Sequence, residues 1–362
     1  MAGTGALLRE DSPLYMSAAL MVGFPVAVLG LLSTVSPTAA CLLNKFFNYA
    51  RAMIHMMLSG EGSVKSQIKH LPDPDEAFKK MDSKESVDII FIRHGESTWN
   101  EIFNKGSGIS RILMLPIRFA MGFFEEIRWL LTDGSVFLDS PLSGEGVEQS
   151  RALLSFLEKS KGLTAGENQK YINVLNGAEG KSVVVTSNLQ RAIETVVIAL
   201  WGRLQRSGEQ VHLLSDLQEV SRNVDTMSLS APNGLPPLLT LPGALNSPTF
   251  DAPKMLETSG NIGQKPIRET SYTRLARFAA WCFESPIAPK GGSGTIIVAG
   301  HSLWFKSFFQ AYLGRKVEHI SKQKKIVNAG AVAFTLQRGT VDGVVVYRVD
   351  PQSIKVITGG FK

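Results

Sequence analysis

Three short runs of aliphatic, mostly β-branched residues constrain this chain more than any other feature. They are VDIIFI at 87–92, SVVVTS at 182–187 and TIIVAG at 295–300, and each precedes a stretch with helical periodicity. A strand that is apolar on both faces has to be covered on both, which is the situation of parallel strands joined by helical crossovers. The expected fold class is therefore α/β, a three-layer α/β/α arrangement around a mostly parallel central sheet. Near the C-terminus, GAVAFTL from Gly330 and GVVVYRV from Gly343 read as a hairpin at the sheet edge.

Each run ends on reactive residues. The first leads into Arg93-His94-Gly95-Glu96, the second into Asn188-Leu189-Gln190-Arg191, and the third into His301-Ser302. Open α/β sheets bind ligands beyond the carboxyl ends of their strands. Two histidines and two arginines, far apart in sequence, are thus expected at one edge of one sheet. These residue types suit phosphoryl transfer without a metal. Guanidinium groups offer planar, charge-assisted hydrogen bonds to phosphate oxygens. A neutral imidazole can attack phosphorus and divide hydrolysis into two easier steps. Gly95 permits close backbone approach to the bound group, and a carboxylic acid is needed to protonate the leaving oxygen.

The formal net charge of +6 agrees with an anionic substrate. Nucleic acid is not expected as a partner, because the basic residues are scattered and no recognition motif accompanies them. Cys41 and Cys282 are the only cysteines, and no C-x-x-C pair or His/Cys cluster suggests zinc. No metal and no cofactor is expected.

Arg93-His94-Gly95-Glu96-Ser97-Thr98-Trp99-Asn100 resembles the signature of the histidine phosphatase superfamily, in the branch that includes cofactor-dependent phosphoglycerate mutases. Asp139-Ser140-Pro141-Leu142-Ser143 with Gly146 is similar to its D-x-P-L-[ST]-x-x-G element, and Ser187-Asn188-Leu189-Gln190-Arg191-Ala192 with Thr195 to its S-x-L-x-R-A-x-x-T motif. Ala299-Gly300-His301-Ser302 resembles the strand end that carries the second histidine, and the four elements occur in family order. The resemblance implies the phosphoglycerate mutase-like fold and a phosphohistidine at His94. It implies a phosphate pocket of Arg93, Arg191 and His301 with a contact from Asn100, and Glu219 as proton donor. Arg222 and Asn223 follow Glu219 where many members have a Gly-containing stretch.

Two insertions interrupt the pattern. One, at about 107–138, holds RILMLPIRFAMGFFEEIRWLL, with Ile112, Leu115, Phe119, Phe123, Ile127 and Leu130 at helical spacing. It reads as a helix packed on the domain or capping its cleft, with an interfacial helix on a membrane as the alternative. The other, at about 225–269, carries seven prolines and reads as an irregular loop or lid. Mutase chemistry must retain a bisphosphate while it reorients, whereas hydrolysis needs only water. The altered walls therefore favour a phosphatase acting on a small-molecule, lipid or protein phosphate. A phosphoglycerate mutase and a non-catalytic phosphate-binding module are the alternatives.

At the N-terminus, 14–44 holds no charged residue, and 17–35 reads SAALMVGFPVAVLGLLSTV, nearly enough to cross a hydrocarbon core. Residues 1–50 are expected to be a hydrophobic helix that anchors the chain in a membrane. Residues 51–85 follow as a spacer, and 86–362 form the catalytic domain. The basic downstream flank places that domain in the cytosol, with an organellar targeting segment as the alternative reading.

Overall fold

The strand pattern is realised in a computed structural model that describes residues 26–80, 84–106, 108–161, 166, 168–290 and 294–362. Its strands are β1 (Lys84–Arg93), β2 (Lys181–Ser187), β3 (Val211–Leu214), β4 (Leu256–Glu257), β5 (Gly294–Gly300), β6 (Ala331–Val341), β7 (Val344–Val349) and β8 (Lys355–Thr358). Helices that bear on the site are α1 (Pro37–Leu58), α2 (Pro74–Lys79), α3 (Thr98–Phe103), α4 (Gly108–Arg128), α5 (Gly144–Lys159), α6 (Gln190–Ala199), α7 (Ser271–Glu284) and α8 (Ser302–Tyr312).

Alternation along β1 explains the layering. Ile90 and Ile92 join the core cluster under α5 and α6, while Ile89 and Phe91 point into the cluster under α7 and α8. All four are at most 1% exposed, so each stabilises the fold by about 1.5–3 kcal/mol. A strand buried on both faces is held in one register, because a one-residue slip exchanges the contents of the two cores.

The expected mostly parallel sheet is instead mixed. The order is β4-β3-β2-β5-β1-β6-β7, with β8 also paired to β6. The strands from β4 to β1 run parallel, whereas β6 is antiparallel to β1, β7 and β8. The C-terminal hairpin forms, but β6 enters the sheet beside β1 and leaves β7 outermost. Within the hairpin, Asp342 (φ 50) and Gly343 (φ 78) take the left-handed conformations of a tight two-residue turn. Such a turn returns the chain antiparallel without a crossover.

The membrane-anchor expectation, with a transmembrane helix and a cytosol-facing catalytic domain, is corrected. No helix among the described residues is long and apolar enough to cross a membrane. Residues 17–25 of the apolar run lie outside the described residues. Residues 26–32 are helical, but 33–35 form a turn, and Ser36 caps α1 with Pro37 in its first turn. The turn ends the run at 33–35, and α1 begins after it as a separate helix. Lys45 on α1 pairs with Glu126 at 3.4 Å, Tyr49 meets Ser135 at 3.3 Å, and Ala52 is fully buried. These contacts hold α1 against the body of the protein.

The first insertion forms helix α4, as its spacing predicts, but its apolar face is not the packed one. Ile112, Phe119, Phe123 and Ile127 are exposed, whereas Gly122 and Glu126 are buried. Glu126 accepts hydrogen bonds from Ser135 Oγ (2.9 Å) and Val136 N (2.7 Å), and the absence of a side chain at Gly122 admits Ile102. The second insertion is mainly irregular but tied down. Leu229 N donates to Asp139, Leu239 N to Gln190 and Thr240 N to Glu194.

Candidate active site

Parallel register gathers the reactive residues. Arg93 pairs with Gly300 across β1 and β5, so His94 and His301 leave adjacent strands at the same level. His94 N donates to Gly300 O at 3.0 Å, and the two imidazole centroids lie 5.1 Å apart. β2, on the far side of β5, ends at Ser187, and α6 begins three residues later with Arg191 in its first turn.

The turn after His94 needs glycine because a Cβ at Gly95 would lie 2.5 Å from Gly146 O. Gly95 N donates to Thr195 Oγ1 (2.9 Å), which ties the first motif to the third. Asp139 ties the second motif to the third. Its Oδ1 accepts from Gln190 N at 2.8 Å, at the start of the helix that presents Arg191. Burial pushes Asp139 up to about 7, against the opposing effect of these donors and Arg191. The resemblance motifs thus contain both reactive groups and the polar braces that aim them.

Arg93, His94, Asn100, Arg191 and Glu219 line one cavity of about 90 Å³. His301 is fully buried, and its ligand atom lies within 4.8 Å of those of His94 and Glu219. The six residues singled out from sequence are therefore brought together. Sequence reasoning missed Asp225, which shares that cavity with Ser302 and Lys325. Lys325 belongs to the basic run 322–325, which has the composition of a solvated loop. The fold divides that run. Lys322 Nζ donates to the carbonyls of Gly314, Arg315 and Val317, while Lys325 is exposed at the rim of the cavity. Asp225 sits at the start of the second insertion, where no motif points to it.

Hydrogen bonds commit particular atoms. His94 Nδ1 lies 2.5 Å from Gly95 O, an acceptor, so Nδ1 carries the proton and the Nε2 lone pair is left free. His301 Nε2 lies 2.9 Å from Ser187 Oγ, and its Nδ1 has no partner among the described residues. Arg93 Nη1 donates to Ile326 O (2.6 Å), and Arg191 Nη1 donates to Asp225 O (2.8 Å). Arg191 Nη2 also lies 3.4 Å from the Asp225 carboxylate. Asn100 Oδ1 accepts from Asn104 Nδ2 at 2.7 Å. Glu219 Oε1 accepts from Trp304 N (2.9 Å), at the N-terminal turn of α8, and from Val220 N (3.1 Å).

The field is positive. Burial, then Arg191 and Arg93, hold His94 well below its ordinary value. His301 is lowered by burial, Arg191 and His94. Burial lowers even Arg93 to about 10, with Arg191 adding to the effect and Glu219 opposing it. Because a lowered pKa keeps imidazole neutral as pH falls, both rings should remain neutral in the free protein at pH 6.5. An ordinary histidine is half-protonated there. Histidine ring-carbon shifts measured by NMR from pH 8 down to 6 should show His94 and His301 without a titration step.

The ligand atoms of His94, Glu219 and His301 lie within 4.8 Å of one another, a donor set that matches a metal by type. Two guanidinium groups in the same cavity oppose a cation there and favour an anion. Asp225 is, beside Glu219, a discordant charge, its carboxyl raised by burial despite Arg191. Removing it as Asp225→Asn should tighten binding of inorganic phosphate at pH 7, measured by calorimetry, about tenfold, roughly 1.4 kcal/mol of relieved repulsion. Weaker binding would mean that the carboxylate orients Arg191 more than it repels the ligand.

No protein-family model matches the chain, and neither does any curated protein. Several solved structures are similar at low identity. A mycobacterial glucosyl-3-phosphoglycerate phosphatase is 16% identical over 73% of this chain and 97% of that chain, with a TM-score of 0.32. A phosphoglycerate mutase from Bacillus anthracis is 17% identical over 74% and 92%, with a TM-score of 0.36. A phosphoserine phosphatase from Entamoeba histolytica is 16% identical over 68% and 90%, with a TM-score of 0.32. Likeness of this size decides nothing about the chemistry of this chain, which is read from its own residues.

Proposed function

We propose that this chain is a histidine phosphatase that hydrolyses a phosphomonoester through a phosphohistidine on His94. The observation that carries this reading is one atom: His94 Nε2, left unprotonated by the Nδ1–Gly95 contact, in a cavity flanked by Arg93 and Arg191. Nε2 attacks phosphorus as the ester P–O bond breaks, and Glu219 gives its proton to the departing oxygen. Arg93 and Arg191 take the phosphoryl charge in their guanidinium forks. His301, with Nδ1 unpartnered, has a donor to offer a phosphoryl oxygen, and Asn100 borders the same space. Water then attacks the phosphohistidine, Glu219 takes the water's proton, and the P–N bond breaks to release phosphate.

Cavity size favours hydrolysis over mutase chemistry. Sites that bury a whole small ligand run to about 300–1,000 Å³, whereas about 90 Å³ takes little beyond a phosphoryl group. A bisphosphate would have no enclosed space in which to turn over. The remainder of the substrate would lie at the mouth, beside Asn104, Asn223 and Lys325.

Full-length protein incubated with an aryl phosphate and quenched in base should carry acid-labile phosphate on His94 while releasing inorganic phosphate. Turnover without a labelled histidine would remove this mechanism. Isomerisation of a phosphoglycerate stimulated by bisphosphoglycerate would favour the mutase instead.

A further inference from the structure

Glu61 lies well before β1, in a stretch without motifs, yet it is only 3% exposed. A buried carboxylate is costly unless charges and hydrogen bonds compensate it. It is met by Lys265 Nζ at 3.3 Å, by the Arg274 guanidinium and by the Ser271 hydroxyl. Lys265 and Arg274 are 2% and 1% exposed, so all three charges are withdrawn from water together.

Neither cation ends at Glu61. Lys265 Nζ donates to Glu219 O (2.6 Å) and Ser221 O (2.9 Å), and Arg274 Nη1 donates to Gln218 O (2.6 Å). Arg222 Nε donates in return to the backbone carbonyl of Glu61 at 2.7 Å. Backbone groups on both sides of Glu219 are therefore gripped by two cations that share one carboxylate. The Glu219 side chain is fixed separately by Trp304 N and Val220 N. Gly60 permits the close approach, since a Cβ there would meet the carbonyl oxygens of Arg268 and Glu269 at 2.8 Å.

We propose that Glu61 and Lys265 are positioning residues for proton donation by Glu219, with Lys265 holding the donor's backbone in place and Glu61 holding Lys265. Neither touches the substrate. This inference rests on the reading of Glu219 as the acid. With that reading, up to departure of the leaving group the pair matters only as the leaving oxygen takes the Glu219 proton. An ester whose leaving group departs as a stable anion needs no such proton.

The test is kcat/KM, which reports steps up to departure of the leaving group, for a dinitrophenyl phosphate and an alkyl phosphate. Full-length Glu219→Gln, Lys265→Met and E61Q/K265M are compared with the parent. The double variant leaves no buried carboxylate facing a missing lysine, so it keeps the test available where Lys265→Met does not fold. General acid catalysis contributes about 10²–10⁴-fold. A displaced donor should lower the alkyl ester by about 30-fold or more and the dinitrophenyl ester by less than about threefold. Equal losses on both esters, or no loss on either, would overturn the positioning role. If Glu219→Gln itself shows no such split, the assignment of Glu219 as the acid fails, and the inference fails with it. A split in Glu219→Gln that is missing from the Lys265 variants rejects the positioning role alone.

Discussion

A His94→Ala chain should lose all measurable phosphate release, a fall in kcat of about 10⁴-fold or more. The size follows from the absence of a substitute. The ring is 3% exposed, and its Nδ1 is committed to Gly95 O, which leaves Nε2 as the lone pair aimed for attack. His301 cannot take over at equal cost, because its Nε2 meets Ser187 and its ring is fully buried. Water admitted to the vacated space would have to attack without the covalent step that divides the barrier. Two measurements check this together: steady-state phosphate release, and acid-labile label recovered from the quenched protein. Both should vanish, while the substitution leaves the braces at Gly95, Thr195 and Asp139 in place. Turnover at the parent rate in this variant would end the phosphohistidine reading.

Arg191→Lys should be nearly as damaging despite keeping the charge, with kcat/KM lower by about 10²–10³-fold. Arg191 is 2% exposed and is held by Asp225 through a backbone carbonyl at 2.8 Å and a carboxylate oxygen at 3.4 Å. With one edge of the fork so anchored, the rest of the planar group is fixed in orientation before any phosphate arrives. Lysine offers a point charge on a flexible stem, so it could satisfy Asp225 or the phosphoryl group but not both in a fixed geometry. If the fork mainly stabilises transferring phosphoryl oxygens, kcat falls along with kcat/KM. A rise in KM with unchanged kcat would place the contact in ground-state binding instead.

Legibility differed among these residues for physical reasons. His94, Arg191 and His301 were visible because each follows a doubly buried strand, and a strand of that kind has a readable composition. Arg93 and Asn100 were visible through the motif that His94 carries. Glu219 stood only on resemblance, since nothing in Leu217-Gln218-Glu219 distinguishes it locally from a surface glutamate. The mixed sheet was less legible, because β6 reads as a hairpin strand whether it sits at an edge or beside β1. The helix α4 was readable, but its packed face was not. Gly122 and Glu126 carry the contact, and neither contributes to an apolar stripe.

Sequence alone determined the alternation that builds two cores on one sheet, the strand ends that bear reactive groups, and the glycine on which the His94 turn depends. These are local properties, set by backbone sterics and side-chain polarity over a few residues. Only the tertiary structure decided which nitrogen of His94 is free, that Asp225 shares Arg191, and that Glu61 reaches Glu219 through Lys265. It also decided that the N-terminal apolar run ends in a turn and that α1 packs on the protein. These features depend on contacts between residues far apart in the chain, such as Glu61 with Arg274 or Lys45 with Glu126. The stability of a buried charge is set by its partners in space, and nothing in the order of residues along the chain specifies who those partners are.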